Sequence, residues 1–136
     1  MMATVIPDTY KDLFTKRAFA HLATLMKDGS PQVTPVWCDF NGSQIWINSA
    51  KGRLKDKNMR RDKRVALSIQ DPDNAYRYLA VQGVVEEITE KGADAHIDAL
   101  AQKYLGKETY PYRAAGEVRV IYKIRPSKKF HVRITR

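Results

Sequence analysis

Apolar residues in this chain fall into short runs bounded by turn residues, and their spacing changes from alternation to a helical period and back. Residues 21–26 (HLATLM), 32–40 (QVTPVWCDF), 44–48 (QIWIN), 65–70 (VALSIQ), 78–88 (YLAVQGVVEEI) and 118–125 (VRVIYKIR) have the length and the β-branched, aromatic content of strands. Asp28-Gly29 and Asn41-Gly42 separate the first three, and both are tight-hairpin pairs, so these strands read as a meander. Pro31 and Pro35 withhold backbone donors from the second strand, which puts it at an edge or gives it a bulge. Residues 71–74 (DPDN) read as a turn. Pro126 reads as the end of the last strand, with Phe130, Val132 and Ile134 sketching a short strand in the tail.

Two segments carry helical spacing. Over residues 8–19, Tyr10, Leu13 and Phe14 recur at i, i+3 and i+4 behind Asp8 as a cap. Over residues 90–105, Ala93, Ile97, Leu100, Ala101 and Tyr104 share one face, and Gly106 stops the helix. Six or so hairpin-connected strands with a few short helices do not make a doubly wound sheet. They make a mainly antiparallel barrel or sandwich with helices over its ends.

A chain of 136 residues, 43% apolar, has material for one domain with its own core and is not a disordered polymer. No run approaches the ~20 apolar residues of a membrane span. The start, MMATVIPDTYKDLF, lacks the basic-then-apolar order of a secretory signal. Cys38 is the one cysteine, so no intrachain disulfide forms, which matches a reducing compartment. A cytoplasmic protein with no membrane partner is the expectation.

Charge changes the picture most. The chain carries a net +9, and residues 51–64 (KGRLKDKNMRRDKR) hold eight basic groups against two acids. Lying between two strand patterns, this segment reads as an anion-binding turn and helix. Gly52 permits the turn, and the helix start adds a positive end. In a helix, Arg53, Lys57, Arg60 or Arg61, and Arg64 recur about one turn apart. A solvated basic face explains that spacing equally well.

No other chemistry competes. His21, His96, His131 and Cys38 have no metal-ligand spacing, and there is no dinucleotide, Walker or nucleophile-elbow motif. Glu86 and Glu87, adjacent in a strand, point to opposite faces and form no acid–base pair. Any difficult chemistry belongs to a cofactor, and no catalytic side chain is assigned.

The stretches HLATLMKDGSPQVTPVWCDFNGSQIWINSAKGRLKDKNMRRDKRVALSI and DPDNAYRYLAVQGVVEEITEKGADAHIDALAQKYLGKETYPYR resemble the pyridoxamine 5'-phosphate oxidase-like split-barrel flavoproteins, and more narrowly their short deazaflavin (coenzyme F420)-dependent oxidoreductase branch. The resemblance implies a six-stranded antiparallel split β-barrel of Greek-key type. It implies a homodimer with the cofactor, coenzyme F420 or alternatively FMN, in a groove at the subunit interface. Gln32, Val33, Thr34, Pro35, Val36 and Trp37 then pass beside the ring, and Asn48 and Ser49 close the groove near the ribityl chain. Arg53, Lys55 and Lys57 hold the phosphate, followed by Asn58, while Arg77 and Tyr78 reach the cofactor. Tyr110, Tyr112 and Arg113 line the substrate side. The family's C-terminal Arg/His pair for pyridoxamine phosphate has no clear counterpart here, which argues against that substrate.

Three functions stand side by side on this reading. The first is an oxidoreductase passing a hydride between coenzyme F420 or FMN and a small organic acceptor. The second is a non-catalytic barrel that carries or senses FMN, haem or bilin. The third, least favoured, is a nucleic-acid binder stacking bases on Trp37, Trp46, Tyr76 and Tyr78, because packing in strands explains those aromatics better.

Overall fold

Two side-chain-closed turns set up two separate N-terminal hairpins. These stand in place of the single three-strand meander that the sequence predicts, because the strands on either side of Trp37 do not pair with each other. The Asp28 carboxylate accepts from the Ser30 N–H and hydroxyl at 3.0 and 2.6 Å. The Asn41 side-chain oxygen accepts from the N–H groups of Ser43 and Gln44 at 2.9 and 2.7 Å. The computed structural model describes residues 6–134, with side chains described over 6–127. Its strands are β1 (Ala20–Leu25), β2 (Pro31–Val36), β3 (Cys38–Phe40), β4 (Ile45–Ala50), β5 (Arg64–Gln70), β6 (Arg77–Thr89) and β7 (Arg119–Ile134). A 3-10 helix (Asp8–Phe14) precedes β1, α1 (Leu54–Arg61) joins β4 to β5, and α2 (Ala93–Leu105) joins β6 to β7.

All strand pairs among the described residues are antiparallel, in the order β2-β1-β5-β6-β7-β4-β3. The two edges, β2 and β3, are consecutive in the chain with Trp37 alone between them. A sheet whose opposite edges lie one residue apart has to curl until they meet. The result is a barrel split between β2 and β3. This is the antiparallel split barrel that the sequence implies, with seven strands instead of six because residues 32–40 break at Trp37 onto opposite edges. β2 is an edge, as its prolines require.

Alternation along each strand fills the interior. Leu22, Ile45, Ile47, Leu67, Ile69, Leu79, Val81, Tyr122 and Ile124 are buried there. The 3-10 helix plugs one end with Tyr10, Leu13 and Phe14, and Phe14 stacks on Phe40 at 4.8 Å. It stops at Phe14, short of the amphipathic helix expected to residue 19. The Thr15 N–H and hydroxyl both turn back to the Asp12 carbonyl, at 3.0 and 2.9 Å, and close the helix there.

β7 runs through Pro126 instead of ending there. A register shift opposite Val81 and Gly83, where β7 carries the extra residues, sets Pro126 opposite Gly83, at a bulge where the missing donor is tolerated. The backbone of Phe130, Val132 and Ile134 continues the same strand. A second shift, between Val85 and Glu87, breaks the alternation, so Glu86 and Glu87 are both exposed instead of dividing between two faces. They pair with Arg125 and Lys123 at 2.9 and 3.2 Å. Among the described residues, no helix is long and apolar enough to cross a membrane.

Candidate functional site

β4 hands the chain to α1 through an elbow at Lys51-Gly52, where Gly52 sits at φ +92°, a conformation that other residues rarely adopt. Asp56, in the first turn of α1, locks this elbow from inside. Its carboxylate accepts from the Gly52 N–H at 2.8 Å, the Tyr122 hydroxyl at 2.6 Å and Arg60 Nε at 2.9 Å. Burial acts to raise the Asp56 pKa, but these hydrogen bonds outweigh it and hold the carboxyl below its ordinary value. Burial, and then the carboxylate itself, pushes the Tyr122 phenol up.

The locked elbow presents Arg53 and Lys55 to a cleft of about 210 Å³, which Trp37 also lines where the two sheet edges meet. Phe19, Pro35, Val36, Asn48, Ser49, Ile97, Tyr110, Tyr112 and Arg119 complete the lining. Arg53 and Arg119 share a single acid, Glu117, at 3.3 and 3.0 Å. Lys55 has no ion-pair or hydrogen-bond partner among the described residues, and burial, then the charges of Arg53 and Arg119, pulls its pKa down. The buried Ser49 hydroxyl is also unpartnered. An ammonium without a counter-ion beside a hydroxyl without a partner is a donor set suited to an anionic, polyhydroxylated ligand.

Aromatic rings form the rest of the cleft. Trp37 stacks on Tyr104 at 5.1 Å and meets the edge of Tyr110 at 5.9 Å. The Tyr104 hydroxyl is fixed by donation to the Ala18 carbonyl at 2.6 Å. Tyr110 is placed by Asp98, which accepts its backbone N–H at 2.8 Å and also pairs with Arg113 at 2.7 Å. Asp98 is held below its ordinary pKa by that backbone bond first and by Arg113 second. Arg119 lies over the Tyr110 ring at 5.1 Å.

Of the residues expected at the site, Pro35, Val36, Trp37, Asn48, Ser49, Arg53 and Lys55 come together in this cleft. The others lie outside its lining. Gln32 accepts from Thr24 at 3.4 Å, Val33 faces outward at 57% exposure, and Thr34 has a buried, unpartnered hydroxyl. Lys57 is exposed on α1. Asn58 is buried, donating to Thr24 at 3.0 Å and Met26 at 3.4 Å. Arg77 bridges Asp12 and Asp71 at 2.7 and 2.8 Å over the Tyr10 ring, and Tyr78 is its half-buried neighbour on β6.

The basic run therefore does not form one phosphate-facing stripe. Arg60 turns onto Asp56, Arg61 onto the Leu25 carbonyl, and Arg64 belongs to β5 and pairs with Asp62. Arg119, Phe19 and Ile97 in the lining, and Asp56 behind it, are additions that the sequence reading did not contain. The Cys38 thiol, pushed up to about 11 by burial, is no nucleophile. Among the described residues, no cluster of His, Cys, Asp and Glu could hold a metal ion.

Fold and cleft together define a class: a split antiparallel barrel with a cationic, aromatic-lined cleft at its seam. The family model described as pyridoxamine 5'-phosphate oxidase matches residues 6–133, and the chain belongs to that family. Among solved structures, an F420 reductase is 34% identical, with the match covering 93% of this chain and 98% of that one at a TM-score of 0.81. A conserved hypothetical protein from Mycobacterium tuberculosis is 23% identical over 98% of this chain and 88% of its own, at a TM-score of 0.74. A heme storage protein from Vibrio cholerae is 15% identical over 96% and 95%, at 0.66. The last two show a shared fold alone.

Proposed function

We propose that this protein is an oxidoreductase whose cleft holds coenzyme F420, with a small organic acceptor beside it. The observation that carries this reading is the unpaired Lys55, set beside Arg53 and Arg119 in the same cleft as the unpartnered Ser49 hydroxyl. FMN offers the same phosphoryl chemistry. The 34% identity to an F420 reductase favours the deazaflavin.

When bound, the coenzyme supplies the hydride, which delivers two electrons to the acceptor. The chain's own part is placement. Arg53 and Lys55 bind the phosphoryl group through charge-assisted hydrogen bonds. Ser49 serves the polyhydroxyl chain, and the backbone of residues 35–37 flanks the ring. Tyr110 and Tyr112 shield the open side from water.

The same reading seats a second copy of the chain on the outer face of β1, β5 and β6. Two adjoining hollows of about 500 and 360 Å³ lie there, lined by small apolar residues such as Ala23, Leu25, Val33, Ala66 and Val84. On a chain of net +9, this face has few charges to repel a copy of itself.

The test is anaerobic mixing with reduced F420 and a panel of enones, quinones and bilins. Consumption of the reduced coenzyme with at least one acceptor supports the enzyme. Binding without consumption across the panel favours the non-catalytic carrier.

A further inference from the structure

A buried run of hydrogen bonds ties the cleft to the inner face of α2. The Arg119 guanidinium, which only donates, bonds Asn48 Oδ1 through Nε at 2.9 Å. The Ala93 carbonyl, which only accepts, takes the Asn48 Nδ2–H at 2.9 Å. Each contact alone fixes which way the Asn48 amide faces, and the two agree. The remaining N–H of that amide therefore meets His96 Nδ1, 3.1 Å away. That ring nitrogen has to be the bare acceptor. The ring hydrogen is on Nε2, donated to Asp39 Oδ2 at 2.9 Å. Asn48, His96 and Arg119 are 8%, 7% and 5% exposed, so a lost partner is not simply replaced by bulk water.

The geometry points to His96 as a positioning residue that holds Asn48 and Arg119 in the cleft while neutral and releases them when it gains a proton. A proton on Nδ1 sets donor against donor at Asn48. Turning the amide over relieves that contact but sets its oxygen against the Ala93 carbonyl and its N–H₂ against Arg119. Unturned, the run breaks between Asn48 and His96; turned over, it also breaks at Arg119, which keeps Glu117 at 3.0 Å and the Tyr110 ring at 5.1 Å as its remaining contacts.

The groups facing His96 come from four elements. Asp39 on β3 accepts the Nε2–H at 2.9 Å, and Lys103 on α2 acts on that carboxylate by charge. From β4, Trp46 meets the ring edge at 5.4 Å, with Lys123 of β7 over the indole at 4.7 Å. Arg119 lies beyond Asn48. In acid the anion-accepting cleft loses a fixed donor, so coenzyme binding weakens; that consequence rests on the cofactor reading, whereas the switch does not.

Two experiments test this. In the free protein, the His96 ring nitrogens, the Asn48 side-chain amide and the Arg119 Nε–H are followed by magnetic resonance from about pH 8 to about pH 5. An Nε2–H tautomer at the upper end, and three signals moving with one midpoint, support the switch. An Nδ1–H tautomer, or static Asn48 and Arg119 signals while His96 titrates, overturns it. Coenzyme F420 is then titrated at about pH 7.5 and about pH 5.5 into the wild type and His96→Asn, whose amide accepts from Asn48 but does not titrate. Wild type should lose at least about fivefold in affinity on acidification, and the variant less than about twofold. Equal losses overturn the proposal. If F420 binds at neither pH, the cofactor reading falls and the resonance experiment alone decides on His96.

Discussion

The proposed site rests most on Lys55, whose ammonium lies in the cleft with no carboxylate to meet it. Lys55→Ala should weaken F420 binding by about 1.5–3 kcal/mol, the range for a lost charged hydrogen bond. The melting temperature should barely move, since the side chain forms no native pair to lose. Unchanged affinity with a collapsed melting temperature would show that the lysine is structural. Half of the residues expected at the site line one cleft, and that grouping was legible because they sit next to each other in the chain, at Pro35-Val36-Trp37, Asn48-Ser49 and Arg53 to Lys55. Arg119 was not legible: only the pairing of β4 with β7 brings it opposite Ala50. Spacing also cannot say which acid claims which base. Asp12 and Asp71 claim Arg77, and Thr24 claims Asn58, across 65, 6 and 34 positions.

At the scale of elements, the strand runs and α2 followed from periodicity within a few residues, whereas the register breaks between β6 and β7 and the continuity of β7 did not. Register shifts are set by the partner strand, and no single run records them. Gly83 marks one of them. A Cβ there would lie 2.7 Å from Ile124 Cγ2 and 2.9 Å from the Arg125 carbonyl oxygen. Because backbone cannot step aside cheaply, Gly83→Ala should lower stability by about 1–3 kcal/mol in denaturant unfolding. A change under about 0.5 kcal/mol would mean that the β6–β7 contact is looser than described. The Asp71 network staples the 3-10 helix to the start of β6. Burial acts to raise the Asp71 carboxyl, but bonds from the Asp73 N–H, Arg77 and Lys16 hold it at about 2, below the ordinary 3.8. A depressed folded-state value means that ionised Asp71 stabilises the fold above about pH 4 and that this contribution fades as pH falls toward 2. Asp71→Asn should be less stable at neutral pH and lose less on acidification, read as melting temperature against pH. Parallel curves for the two proteins would remove Asp71 from the acid response.

For the whole molecule, the curled sheet follows from chain logic, since two edges joined through one residue must meet. Where the proposed coenzyme would lie and how two copies would dock depend on surfaces that form only after folding. Ala66→Arg, placed in the outer trough, should turn a dimer into a monomer in sedimentation while leaving the barrel folded. A monomeric wild type would remove the dimer from this account. Amide hydrogen exchange with and without saturating coenzyme F420 tests the central claim most directly. Slowed exchange at residues 35–37, 48–55 and 110–112 is the expected result. Slowing confined to the outer face of β1 and β5, or none at saturation, would contradict it.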